Sequence, residues 1–151
     1  ALVKNELPMF INHTLLRPEI SVGSHRFDFL LQDIDGKNFY LEVKSVTFVE
    51  NGVAKFPDAV TVRGAKHALA LKNLVENGKK AGILFVCQRS DAVSFRPMWE
   101  RDPTLAKAVL KANRSGVKVW CITLNVSETE MTFRQEIPVN LESPKNSIEF
   151  D

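Results

Sequence analysis

The sequence predicts an α/β domain with a mixed central sheet, an antiparallel meander followed by a β–α–β arrangement, with helices covering the sheet. Three observations carry this. Up to residue 56, β-branched and aromatic runs alternate with Gly-containing turns, the signature of a meander. Beyond it, apolar residues recur at spacings of three and four, which marks helices from about Val62 and from Pro103. The run AGILFVC from Ala81 lies between those helices and reads as a strand buried on both faces.

The elements follow in order. Ala1 to Phe10 is a short helical candidate that Pro8 disturbs near its end. Strand signals lie around Ile20 and from Arg26 to Gln32, Asp33 to Gly36 is a turn, and Phe39 to Glu50 reads as one long strand. Asn51-Gly52 is a hairpin signal before Val53 to Phe56. The first helix runs from about Val62 to Asn77, with Thr61 as N-cap and Gly78 just past its end. Ala81 to Gln88 is a strand, Pro103 opens the second helix and Gly116 closes it. Strands at Val117 to Val126 and Met131 to Glu136 complete a single domain over residues 1–141, and residues 142–151 read as a frayed polar tail.

Composition narrows the function classes. The chain has 151 residues, 44% hydrophobic and 25% charged, which suits one globular domain and excludes disorder. No apolar run approaches the ~20 residues of a membrane span, and ALVKNELPMF lacks the basic-then-apolar order of a signal peptide, so a soluble, cytoplasmic chain with no membrane partner is expected. A formal charge of +2 means that any polyanion must meet a local basic patch rather than a basic protein. Cys87 and Cys121 lie inside apolar runs with no CxxC spacing, as buried thiols of a reducing compartment do.

The most informative segment is RFDFLLQDIDGKNFYLEVKSV, Arg26 to Val46. Alternation puts Arg26, Asp28 and Leu30 on one side of the first strand, and Tyr40, Glu42 and Lys44 on one side of the next. A three-residue loop, Ile34-Asp35-Gly36, with Gly36 left-handed, centres the pairing on Asp35. Asp28 then faces Glu42 and Arg26 faces Lys44, with opposed Cβ atoms about 4.5–5.5 Å apart. Facing acids repel, and a divalent cation between them removes the repulsion. Mg²⁺ suits such a place because it takes one or two carboxylates and keeps waters and phosphate oxygens. The Val43 carbonyl is a further candidate ligand. Lys44, on the same face, would point at a phosphate or an attacking water, where it stabilises negative charge or helps remove a proton. These are the parts of metal-assisted phosphodiester hydrolysis. The same pattern also fits the wet face of a hairpin whose charges pair diagonally.

In FPDAVTVRGAKHALALKNLVENG, the positions Gly64, His67, Ala68, Leu71, Leu74 and Val75 form the helix face that lies against the sheet. His67 falls on that face, and it reads either as a packed, hydrogen-bonded histidine or as a catalytic group. Arg63 and Lys66 flank it near the helix N-terminus, as phosphate contacts or as solvated helix charges. Trp99 is read as core rather than as a base-stacking platform, and His13, His25 and Trp120 as structural.

The runs RFDFLL, YLEVKSVTFVENGVAKFPDAVTVRGAKHAL and LFVCQRSDAVSFRPMWERDP resemble the C-terminal domain of the sugar fermentation stimulation protein A (SfsA) family, over about Leu2 to Leu141. That domain is similar to the PD-(D/E)XK, restriction-endonuclease-like fold. The resemblance implies Asp28, Glu42 and Lys44 as the core motif, Mg²⁺ (or Mn²⁺) as cofactor, binding to DNA without strong sequence preference, and metal-dependent nuclease activity. Arg26, Arg63, Lys66 and His67 are the expected nucleic-acid contacts. Family members carry an OB-like N-terminal domain to which nothing here corresponds, so the chain reads as a fragment. Enzymes of the wider fold take a further acidic ligand from the first helix. Glu6 is the nearest match, and Glu19, just before the first strand, is another. Arg89 and Asp91 match the family pattern and either line the site or form a structural pair. The alternatives to a nuclease are a non-catalytic, regulatory DNA-binding module linked to sugar metabolism, or a partner-binding domain with no nucleic-acid role.

Overall fold

The computed structural model describes residues 7–144. Its main sheet has six strands in the order β1 (Thr14–Val22), β2 (His25–Gln32), β3 (Asn38–Val46), β6 (Lys80–Cys87), β8 (Lys118–Val126) and β9 (Met131–Ile137). Pairing is antiparallel from β1 to β3, parallel through β3, β6 and β8, and antiparallel at β9. The expected meander and β–α–β order are both present. A second, three-stranded sheet holds β4 (Phe48–Glu50), β5 (Val53–Phe56) and β7 (Ser94–Pro97).

Two expectations need correction here. The segment Phe39 to Glu50 is not one strand: it breaks at Thr47, and its second half pairs with β5 in the other sheet. The first strand also runs over Thr14–Val22, so Glu19 sits inside it rather than before it. Of the N-terminal helix candidate, the described part is a single 3₁₀ turn, Pro8–Phe10; residues 1–6, Glu6 among them, lie outside the described residues, as do residues 145–151 of the tail.

Both α-helices stack on one face of the sheet. α1 (Val62–Glu76) supplies Ala68 and Leu71, and α2 (Pro103–Ser115) supplies Leu105 and Val109, to a core with Phe27, Leu30, Ile83 and Phe85. The other face is covered near Leu41, Leu84 and Ile122 by Leu7 and Phe10. There Phe39 and Trp120 crowd Gly82, where an added Cβ would lie 2.9 Å and 2.8 Å from their rings. The central strand is thinned at that point so that aromatic rings can close over it.

The helix starts are tied together. Thr61 caps α1 by accepting the Gly64 N–H at 3.0 Å, and Asp102 caps α2 by accepting the Leu105 N–H at 3.0 Å. The other Asp102 carboxylate oxygen accepts the Thr61 N–H at 2.9 Å, so one buried acid fixes where both helices begin.

The β2–β3 hairpin has the register and loop that the sequence predicts. Phe29, Leu30, Leu31 and Gln32 pair with Leu41, Tyr40, Phe39 and Asn38, and Gly36 is left-handed at φ 80°. Asp33 closes the loop by accepting the Asp35 and Lys37 N–H groups, each at 2.9 Å, and binds Lys80 Nζ of β6 at 2.5 Å. The Lys80 ammonium, followed by those backbone donors, holds the Asp33 carboxyl well below its ordinary value, at about 2. The folded carboxyl titrates below its unfolded value, so its stabilisation is complete above about pH 4 and is lost as pH falls through about 2. Thermal melts should therefore show Asp33→Asn lowering Tm at neutral pH, with the gap from wild type closing as pH falls from about 4 toward 2.

Candidate functional site

The site is created where two strands part. The β2–β3 ladder stops at Phe29↔Leu41, although β2 reaches back to His25 and β3 runs on to Val46. Beyond that pair β2 stays with β1, through Ile20↔Phe27 and Val22↔His25, while β3 stays with β6 through Val46↔Cys87. A fork opens between them. The face of β2 shifts at the same place: Phe27 and Leu30, three residues apart, both enter the core beneath the helices, whereas Phe29 packs on the opposite side. Strict alternation would not allow this, so β2 carries an irregularity around Asp28.

The direct Asp28–Glu42 and Arg26–Lys44 pairings expected from the register are therefore absent. The ladder ends one pair before they would form, which removes the acid–acid and cation–cation repulsions they would impose. Asp28, half-buried, instead reaches into the fork and accepts the Val43 N–H on Oδ2 at 2.8 Å. An extended residue directs its N–H and C=O to the same edge, so the Val43 carbonyl points into the fork as well.

Glu42 and Lys44 lie on the helix-facing side of β3, in register with Ile83 and Phe85 of β6. Glu42 is 4% exposed. Its Oε2 receives Lys44 Nζ at 2.9 Å and His67 Nδ1 at 2.9 Å, and the two donors are 3.4 Å apart. The short contact to the carboxylate assigns the Nδ1 proton to the Glu42 side of the ring. Glu42 Oε1 is buried and has no hydrogen-bond partner among the described residues. The cavity beside it, walled by Ile83, Phe85, Leu71 and Leu105, holds only about 10 Å³, the lower limit for one water.

α1 contributes more than His67. With Arg63 and Lys66, His67 forms one wall of an open groove of about 850 Å³, and Ser24, His25 and Arg26 form the other. All four residues expected to contact nucleic acid thus line one groove, and His67 is shared between the groove and the Glu42 cluster. His25, read from sequence as structural, also belongs to this groove: its ring meets His67 edge-on at 6.2 Å and lies nearly parallel to Phe27 at 6.4 Å. Its only sequence signal was adjacency to Arg26 at the head of a strand. Gly64 packs closely against Leu105 of α2, which an added Cβ would meet at 3.2 Å.

Three candidates stand apart. Glu19 lies on edge strand β1 between the residues paired to Phe29 and Phe27, alongside Asp28, but its side chain is exposed and its φ of 55° is left-handed. Arg89 and Asp91 are exposed beyond β6 and bind each other through two contacts at 3.1 Å and 2.6 Å. That pairing holds the Asp91 carboxyl below the usual carboxylate range. Among the described residues no group of three His, Cys, Asp or Glu side chains is arranged around a common point.

A divalent cation nevertheless fits the fork. A buried, unpartnered Glu42 oxygen, the Asp28 carboxylate bonded to the next residue's N–H and the Val43 carbonyl are hard oxygen donors of the kind Mg²⁺ and Ca²⁺ take.

A mixed sheet with both helices on one face and a forked acid, acid, lysine strand pair defines an α/β domain of the restriction-endonuclease-like, nuclease-fold class. The family described as "Sugar fermentation stimulation protein RE domain" matches residues 1–130, and this chain belongs to that SfsA family. Sugar fermentation stimulation protein homologs are 39% identical over 141 residues in Clostridium botulinum and 39% over 140 residues in Chloroflexus aggregans. They cover 93% and 92% of this chain, which itself spans 61% and 53% of their lengths. The solved structure of Pyrococcus furiosus SfsA in complex with Ca²⁺ superposes with a TM-score of 0.84 at 29% identity, over 90% of this chain and 59% of that one. The chain thus spans between half and two-thirds of the relatives it matches.

The Glu42–His67 contact is testable apart from function. A double-mutant cycle with Glu42→Gln and His67→Asn, followed by chemical denaturation, should give a coupling of about 0.5–3 kcal/mol; additive losses would mean that the pair is not formed.

Proposed function

We propose that this domain binds the DNA backbone without strong sequence preference and hydrolyses its phosphodiester bonds with Mg²⁺ or Mn²⁺. The observation that carries the reading is Glu42 Oε1, a buried carboxylate oxygen with no partner among the described residues, on a side chain whose other oxygen holds Lys44 and whose neighbour Val43 is bonded across the fork by Asp28. That the P. furiosus relative is in complex with Ca²⁺ supports divalent-cation binding in this family.

Asp28, Glu42 and the Val43 carbonyl would hold the ion. When bound, it supplies Lewis-acid polarisation of a phosphodiester and a water of lowered pKa. Lys44 brings an ammonium group to the same place, where negative charge grows on the phosphoryl oxygens. Arg26, Arg63 and Lys66 offer their charges to flanking phosphates along the groove, and their flexible cationic heads read backbone rather than base edges. His67 spends Nδ1 on Glu42, so its part is to orient that carboxylate while its ring lines the groove. With +2 net charge, attraction to DNA comes from this groove and not from the whole surface. Cys87 and Cys121 are free and buried, and burial pushes both thiols up, which suits a cytoplasmic, reducing setting.

A second reading, DNA binding without cleavage, is favoured by one feature: no third acidic group joins Asp28 and Glu42 among the described residues. One assay separates the two. Labelled single- and double-stranded DNA is incubated with Mg²⁺ or Mn²⁺ and with chelator, beside Asp28→Ala and Lys44→Ala. Hydrolysis predicts metal-dependent cutting that falls by about 10²–10³ in either variant. Cutting that persists at the wild-type rate in either variant, or in excess chelator, overturns it.

Binding has its own signature. The affinity should fall with salt, and Arg63→Ala or Lys66→Ala should each reduce the slope of log K against log salt by about one, measured by fluorescence anisotropy. An affinity flat across salt would remove DNA-backbone binding altogether.

A further inference from the structure

Glu42 Oε2 is oversupplied while Oε1 is bare. Two donors, Lys44 Nζ and His67 Nδ1, meet Oε2 at 2.9 Å each, and no described residue reaches Oε1. A carboxylate left alone at this depth would be strongly destabilising, so the protein without a cation needs a charge partner there. Lys44 is the nearest full positive charge.

The two donors differ in freedom. His67 is held by α1 and is 8% exposed, with ring contacts to Phe27 and His25, and α1 is itself fixed at its start by Thr61 and Asp102. Lys44 has a flexible four-carbon stem, a side chain 19% exposed, and a place at the edge of the basic groove through its contact with His67. A dication brought to Glu42 neutralises the carboxylate and repels the ammonium at contact distance. His67 keeps the carboxylate in place and Lys44 is set free.

We propose that Lys44 is a stand-in for the cation: it neutralises Glu42 in the metal-free protein, and on cation binding it moves from Glu42 to a DNA phosphate in the adjoining groove, so that metal and DNA reinforce each other's binding. This rests on the reading of the fork as a divalent-cation site and adds the regulation of that site. It also gives Lys44 two successive anionic partners, where the static geometry shows Glu42 alone. Because the exchange is one of charge partners, the coupling must be reciprocal.

The experiment follows the lysine itself. The protein is labelled with an amine-reactive reagent under limiting conditions, and modification of Lys44 is quantified by peptide mass spectrometry in chelator, in Ca²⁺, and in Ca²⁺ with a short DNA duplex. Ca²⁺ binding is measured in parallel by calorimetry on the same samples. Lys44 should label slowly in chelator, severalfold faster in Ca²⁺, and slowly again when DNA is added, while the exposed Lys37 of the hairpin loop changes little. In Glu42→Gln, Lys44 should label fast in chelator, with no further gain from Ca²⁺. Calorimetric Ca²⁺ binding with unchanged Lys44 labelling overturns the exchange and leaves the metal site standing. Absence of Ca²⁺ binding by the wild type overturns the metal site, and the exchange with it.

Discussion

A carboxyl group buried as deeply as Glu42 needs charge or hydrogen-bond donors at contact distance, because the surrounding Ile83, Phe85 and Leu71 offer it nothing. That requirement organises the centre of the domain. It explains why Lys44 turns back onto its own strand and why a histidine occupies the apolar face of α1. It also explains why the start of α1 is pinned through Thr61 to Asp102, since a helix free to slide would carry His67 away from Glu42. Breaking one partner of such a buried cluster costs more than the cluster itself contributes.

The fork between β2 and β3 follows from a choice between two sets of partners. β1 holds β2 through to His25, and β6 holds β3 through to Val46, so the twist of the sheet must be taken up between β2 and β3. The residues released from the ladder are Asp28 on one arm and Glu42, Val43 and Lys44 on the other. Pairing them in register would have set like charges face to face. Parting the strands removes that conflict, and Asp28 satisfies the Val43 N–H that the ladder no longer serves.

Much of this was legible in the sequence, and the remainder was not for physical reasons. Turn chemistry and helix caps are local, so the loop at Gly36, the cap at Thr61 and the buried face through Ala68 and Leu71 followed from neighbouring residues alone. The residue types at Asp28, Glu42 and Lys44 could be read the same way. Where the ladder would stop could not, because it depends on β1 and β6 competing for the two arms, a decision made between elements distant in sequence. The break at Thr47 was hidden for a similar reason: residues 48–50 keep their strand character and change only their partner, from β6 to β5. β7, four residues ending in Pro97, is too short to signal itself and forms because β5 offers it an edge. His25 needed the fold too, since nothing in its local sequence says that its ring will meet that of His67.

The way the two halves of the site are joined also bears on how a near-neutral chain can present a local concentration of positive charge. Cations on the groove walls come from two separate pieces of chain, Arg26 at the head of β2 and Arg63 with Lys66 in the first turns of α1. Glu42 lies deeper, buried and bonded to His67. An anion entering the groove from solvent would therefore meet Arg26, Arg63 and Lys66 before Glu42. With like amounts of both signs in the chain, it is this ordering in depth, and not the total, that makes the surface attractive to an anion and the interior attractive to a cation. A groove with acids outermost would have the same net charge and would repel an anion.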